Sequence, residues 1–267
     1  MSSLVPLRLR SGLALAVVSG LGLVAFGWPL FVDPGSALDS SHSGDAPLVF
    51  VVLLPLLAAV VLAELTSGGM DAKAVAMLGM LAAVGGALRA LGPGVAGLEP
   101  SFAVIILGGR VFGRGFGFVL GAVTLFVGAL LTGGVGPWLP FQMLAAAWVG
   151  FFAGCLPRGA GERGWLVAYA VVASLGYGFV INLWFWPFAS YGPEVTYVAG
   201  APLLANLHRY LIFDATTSLL WDVGRAVLNG AVLAMAGPAL VRALRRASRR
   251  AAFAVPVVFD PPPPDRP

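Results

Sequence analysis

The chain has 267 residues, of which 59% are hydrophobic and only 10% are charged, and it carries a net charge of +4. Soluble domains hold roughly 25% charged residues, so a soluble globular fold is excluded and an all-α polytopic membrane protein is indicated. The positive charge does not point to nucleic acid, because the arginines fall at the ends of apolar runs and in the tail, where membrane topology places them.

In chain order, Arg8 and Arg10 precede an apolar run over residues 13–32. A cleaved signal peptide has an apolar core of about 7–15 residues, so this longer run reads as an uncleaved first span. The loop 33–46 carries Asp33, Asp39 and Asp45 and no lysine or arginine, and a second span is predicted over 47–65. Lys73, the sole lysine, stands in the following connection. A third span covers 72–91. Its small residues Ala72, Ala76, Gly79, Ala83, Ala87 and Ala90 recur at steps of three and four, which keeps them on one helical face. Such a face lets membrane helices approach closely, either within this chain or against another subunit.

A breaker-rich loop, 92–100, leads to a fourth span at 101–109, short for a membrane crossing. It is retained because eight spans place Arg8, Arg10, Lys73, Arg110, Arg114, Arg158, Arg163 and the cluster 242–250 all on the cytoplasmic side. The fifth and sixth spans, 116–131 and 139–156, form an uncharged hairpin. A basic hinge at Arg110 to Arg114 opens it and a Gly-Pro-Trp turn joins its arms. The seventh span, 164–186, ends with Trp184 and Trp186, expected at headgroup level. A short helix lying on the membrane is predicted over 202–214. The last span runs back about 20 residues from the basic cluster to near Trp221, so Asp222 and Arg225 share one face at its outer end. The proline-rich end, DPPPPDRP, reads as disordered. The organisation is an N-terminal pair of spans in 1–70, a six-helix core in 71–245 and a tail in 246–267.

The chemistry available is narrow. Lys73 is followed by Ala74, so no phosphate-binding P-loop is present. Two histidines, His42 and His208, and one cysteine, Cys155, give no metal-ligand spacing and no disulfide. No nucleophile–base pair stands out, and neither a catalytic residue nor a cofactor is assigned. What remains is a set of polar and aromatic residues gathered at the outer ends of several spans. It comprises Arg89, Glu99, Trp138, Gln142, Asn182, Trp184, Trp186, Asn206, His208, Arg209, Asp222 and Arg225. Ionisable residues in spans are costly and mark a site or pair with one another, and such a mixture suits a small-molecule pocket.

The small-residue helix with its Ala83-x-x-x-Ala87, the short helix after it, the hinge VFGRGFG at 111–117 and the turn GPWLPFQM at 136–143 together resemble the substrate-binding S components of energy-coupling factor (ECF) vitamin transporters. The resemblance covers residues 71–245. It implies a six-helix core to which this chain adds two N-terminal transmembrane helices. It also implies capture of a vitamin or related micronutrient, cobalamin-like, riboflavin or another, at the outer face of a bacterial plasma membrane, with both termini cytoplasmic. Substrate binding then maps to Trp138, Gln142, Asn182, Trp184, Asp222 and Arg225. Docking onto a transmembrane coupling protein, driven by separate ATPase subunits, maps to Gly79, Ala83 and Ala87, with Arg110 and Arg114 on the cytoplasmic side. The alternative is a membrane enzyme or scaffold acting on lipid or prenyl substrates.

Overall fold

A computed structural model describes residues 9–31, 58–59, 70, 72–92, 97–189 and 191–250. The predicted second span at 47–65, the acidic loop before it and the proline-rich end lie outside the described residues, apart from 58–59. Among the described residues there are eight longer helices and no strand. They are α1 (Leu9–Gly27), α2 (Ala72–Ala90), α3 (Ser101–Phe112), α4 (Arg114–Thr132), α5 (Leu139–Ala153), α6 (Glu162–Phe185), α7 (Leu203–Thr217) and α8 (Leu219–Arg250). Short 3-10 turns, Trp28–Leu30 and Trp186–Phe188, continue α1 and α6. Among the described residues five segments are long and apolar enough to cross a bilayer: Gly12–Leu30, Ala72–Ala90, Arg114–Thr132, Glu162–Phe188 and Leu219–Ser248. The architecture is that of a helical, multi-pass membrane protein.

The short α3 is the centre of the bundle. It packs against α2, α4, α5, α6 and α8, and 11 of its 12 residues are buried. A helix shielded on every side by other helices has no need to span lipid on its own, which accounts for its length. It ends at Gly113, whose φ of +111° is open to glycine and strained for other residues. That single residue lets the chain reverse directly into α4.

Helices α4 and α5 meet backbone to backbone. A Cβ on Gly117 would overlap the Gly150 carbonyl, one on Gly121 would overlap Ala146, and one on Gly150 would overlap Gly117. Small residues at a crossing give dispersion contact along the whole helix face, the main source of helix association in lipid. Outside this hairpin, α1 leans on α5 through Phe26 against Phe141, ring centroids 5.1 Å apart, and through the Trp148 indole N–H donating to Ser19 Oγ at 2.9 Å.

Several boundaries differ from expectation. Helix α5 stops at Ala153 rather than 156. Helix α8 begins at Leu219 and, with Pro238 in its interior, continues through the basic cluster to Arg250 rather than ending near Arg242. The cluster is held in helix in part by Arg245, which pairs with Glu162 at 2.7 Å. The small-residue stripe of α2 is not its internal packing face. Ala74, Leu78, Ala82, Gly85 and Gly86 are buried, whereas Ala72, Ala76, Gly79, Ala83 and Ala87 are exposed. Trp184 and Trp186, expected at headgroup level, are both buried in aromatic clusters.

Candidate functional site

At one end of the bundle α2 finishes and α5 and α8 begin. The loop 97–100 is pressed onto this end. Gly97 has φ +75°, and its Cα lies so close to the Trp221 carbonyl that no side chain fits. Asn229, one turn beyond Arg225, fixes the same loop: its Nδ2 donates to the Glu99 carbonyl and to the Arg225 carbonyl, both at 2.9 Å, and its Oδ1 accepts from the Ala103 amide at 2.8 Å.

These constraints bring four charges together. Glu99 accepts from Arg89 Nη1 at 3.3 Å and Ser101 Oγ at 3.2 Å, and its second oxygen lies 3.5 Å from Arg225 Nε. Arg225 Nη1 donates to Asp222 at 2.7 Å and to the Ser174 carbonyl at 3.2 Å. Its guanidinium carbon lies 5.3 Å and 5.0 Å from the ring centres of Phe102 and Tyr177, the geometry of a cation–π pair. Asp222 accepts a further bond from Ser218 Oγ at 2.6 Å. It fits against α6 because Gly178 leaves room for its carboxylate. Two cations and two anions make the group neutral as a whole, which removes much of the cost of burying charge.

A cavity of about 320 Å³ opens beside this network, lined among others by Arg89, Glu99, Thr132, Gln142, Trp221 and Arg225. Arg89 Nη2 donates to Gln142 Oε1 at 2.9 Å, tying the end of α2 to the first turn of α5. Arg225 is held from several directions and acts as an anchor. Arg89, held by Glu99 and Gln142, has further N–H donors to offer a ligand.

Of the six residues mapped to substrate binding, Gln142 and Arg225 line the cavity and Asp222 stands directly behind Arg225. The other three are elsewhere. The half-exposed Trp138 donates its indole N–H to the Gly134 carbonyl at 3.0 Å and stiffens the turn before α5. Asn182 donates to Asp214 at 2.8 Å and braces α6 against α7. Trp184 is core, packed on Phe141 with centroids 4.9 Å apart. Arg89 and Glu99, present in the wider sequence cluster, belong in the site. Trp221 and Thr132 were missed, as was Asn229, although its i, i+4 spacing from Arg225 was readable.

On the α2 face proposed for docking, Gly79, Ala83 and Ala87 are exposed, and so is Arg114 at the start of α4. Arg110 departs from that mapping. It is 1% exposed, and donates to Glu162 at 2.9 Å and to the Leu156 and Pro157 carbonyls at 2.8 and 2.9 Å. Its charge is consumed inside the bundle, where it ties α3 to the turn before α6. Among the described residues, no group of three His, Cys, Asp or Glu side chains is placed to hold a metal. Comparison with family models, with curated proteins and with solved structures finds no match to this chain.

Proposed function

We propose that this chain is the substrate-binding S component of an ECF-type importer. In this reading it captures a vitamin or related micronutrient at the outer face of a bacterial plasma membrane, with both termini in the cytoplasm. It passes the ligand on by docking to a transmembrane coupling protein, while separate ATPase subunits supply the energy that a chain without a P-loop cannot. It catalyses no reaction itself.

The observation that carries the proposal is the cavity between the ends of α2, α5 and α8, with its charged and aromatic lining. Ligand sites combine an enclosing wall with a few converging polar groups. Here the wall includes Trp221, and the polar groups are Arg89, Gln142 and Glu99. The volume is at the small end for ligand sites, which favours a compound of riboflavin size or smaller over a cobalamin-like corrinoid. With Asp222 behind Arg225 the charges of the network balance, so a net-neutral ligand rich in hydrogen-bond acceptors suits it best.

The test is binding by the purified chain. Mass spectrometry of small molecules extracted with it, and calorimetry against a vitamin panel, are expected to find one ligand. Arg89→Ala, which removes a charged donor, should weaken that ligand by about tenfold or more, the equivalent of about 1.5–3 kcal/mol. No binding across the panel, or affinity unchanged in Arg89→Ala, rejects the site.

A further inference from the structure

A second cavity, of about 420 Å³, lies between α7 and the loop that precedes it. It is lined by Pro193, Glu194, Ala205, His208, Arg209 and Ile212. The α7 residues among these recur at steps of three, one and three, so they share one face of the helix. The neighbouring face, Asn206, Tyr210 and Phe213, is buried against the rest of the protein. On the other side Leu204 and Leu211, seven residues apart, are 78% and 48% exposed. Helix α7 therefore has three faces: one in the core, one polar and concave, one apolar and open.

Arg209 is the cation of this lining. Its Nη1 is buried and has no hydrogen-bond partner, and among the described residues it forms no ion pair. With no carboxylate among those residues paired to it, Arg209 keeps its other N–H donors for an acceptor in the cavity. Glu194, exposed on the loop that completes the lining, supplies the complementary negative charge. The lining thus holds a cation on α7 and an anion on the loop before it, next to the exposed leucines of α7. An amphipathic helix of this pattern lies in the headgroup layer with its apolar face toward the acyl chains.

We infer that this cavity holds the phosphoethanolamine headgroup of a membrane lipid. The phosphate oxygens accept from Arg209 and His208, and the ammonium donates to Glu194. The acyl chains run along Leu204 and Leu211. A choline headgroup fits less well, because its quaternary nitrogen has no N–H to give Glu194. A glycerol headgroup leaves Glu194 facing a net negative ligand. The inference is independent of the transport reading, because it concerns a different cavity.

The experiment is native mass spectrometry of the full chain released from nanodiscs that contain equal amounts of phosphatidylethanolamine, phosphatidylcholine and phosphatidylglycerol. Retention of phosphatidylethanolamine over phosphatidylcholine by about tenfold is expected. Glu194→Gln should abolish that preference, and Arg209→Ala should cut phosphatidylethanolamine retention while Arg209→Lys keeps part of it. Equal retention of the ethanolamine and choline lipids, preference for phosphatidylglycerol, or an unchanged preference in Glu194→Gln overturns the inference. Displacement of the lipid by soluble O-phosphoethanolamine at comparable concentration overturns the lipid source and assigns the cavity to a free metabolite. Glu194 is on an exposed loop, so its variant decides the matter even where Arg209→Ala fails to fold.

Discussion

Asp214 and Asp222 show how the same residue type is handled in two ways. Asp222 is 3% exposed, yet it faces the Arg225 guanidinium and accepts a serine hydroxyl. Asp214, half-buried on α7, has an amide for its partner, Asn182. Burial pushes the Asp214 carboxyl above the usual range and the nearby Asp222 charge adds to this, while the Asn182 bond pulls the other way. The folded state therefore favours the protonated acid more than the unfolded chain does. Its stabilising contribution is present at low pH and is lost as the pH rises through the raised value. Asp214→Asn, a neutral mimic that can still accept from Asn182, is accordingly expected to melt higher than the parent at neutral pH. The gap should close as the pH falls toward the ordinary aspartate range. Melting curves of the two proteins in detergent across that range check this, and a gap that widens on acidification refutes it.

At the scale of the helices, apolar length and glycine spacing were enough to find nearly every described element, because the bilayer imposes about 20 apolar residues on each crossing and satisfies no backbone polar group along it. What could not be read were features set by neighbours. The sequence of α3 is too short to cross and says nothing of the five helices that surround it. The six small residues of α2 look like a packing stripe, but the buried face is the adjacent one, Ala74, Leu78, Ala82, Gly85 and Gly86. Small residues make both faces permissible, and only the position of α4 selects between them. Arg110, Trp184 and Asn182 lie away from the cavity and the open face for a related reason: position near a span end does not reveal whether a side chain turns inward. The glycines offer a direct test of this distinction. Gly150→Ala puts a methyl group into the backbone of Gly117 and should cost about 1–3 kcal/mol as α4 and α5 are forced apart. Gly79→Ala meets nothing within 4 Å and replaces a poor helix former, so it should be neutral or stabilising by up to about 1 kcal/mol. Equal melting temperatures for the two variants would show that the α4–α5 crossing is not close-packed.

Over the whole molecule the two ends of the bundle are fastened differently. Glu162 joins Arg110 and Arg245 at one end, holding α3, α6 and α8 together. At the opposite end the network of Glu99 with Arg89 and Arg225 surrounds a cavity instead of filling it. Helix α2 connects the two regions. Its inner face is committed to α4, its last turn supplies Arg89 to the cavity, and its outer face of Ala76, Gly79, Ala83 and Ala87 is open. In the transport reading this outer face receives the coupling protein, since small side chains allow the close backbone approach that binds helices in lipid. Ligand capture and docking are then separable, being on opposite faces of one helix. Ala83→Leu or Ala87→Leu, each adding bulk on the exposed side, should leave the affinity of the purified chain for its ligand unchanged. Uptake by cells that also express the coupling protein and ATPases should fall by about tenfold or more, and the coupling protein should no longer co-purify. Full uptake in both variants would remove the docking face from α2, and a loss of ligand affinity would mean that the substitutions had disturbed the bundle itself.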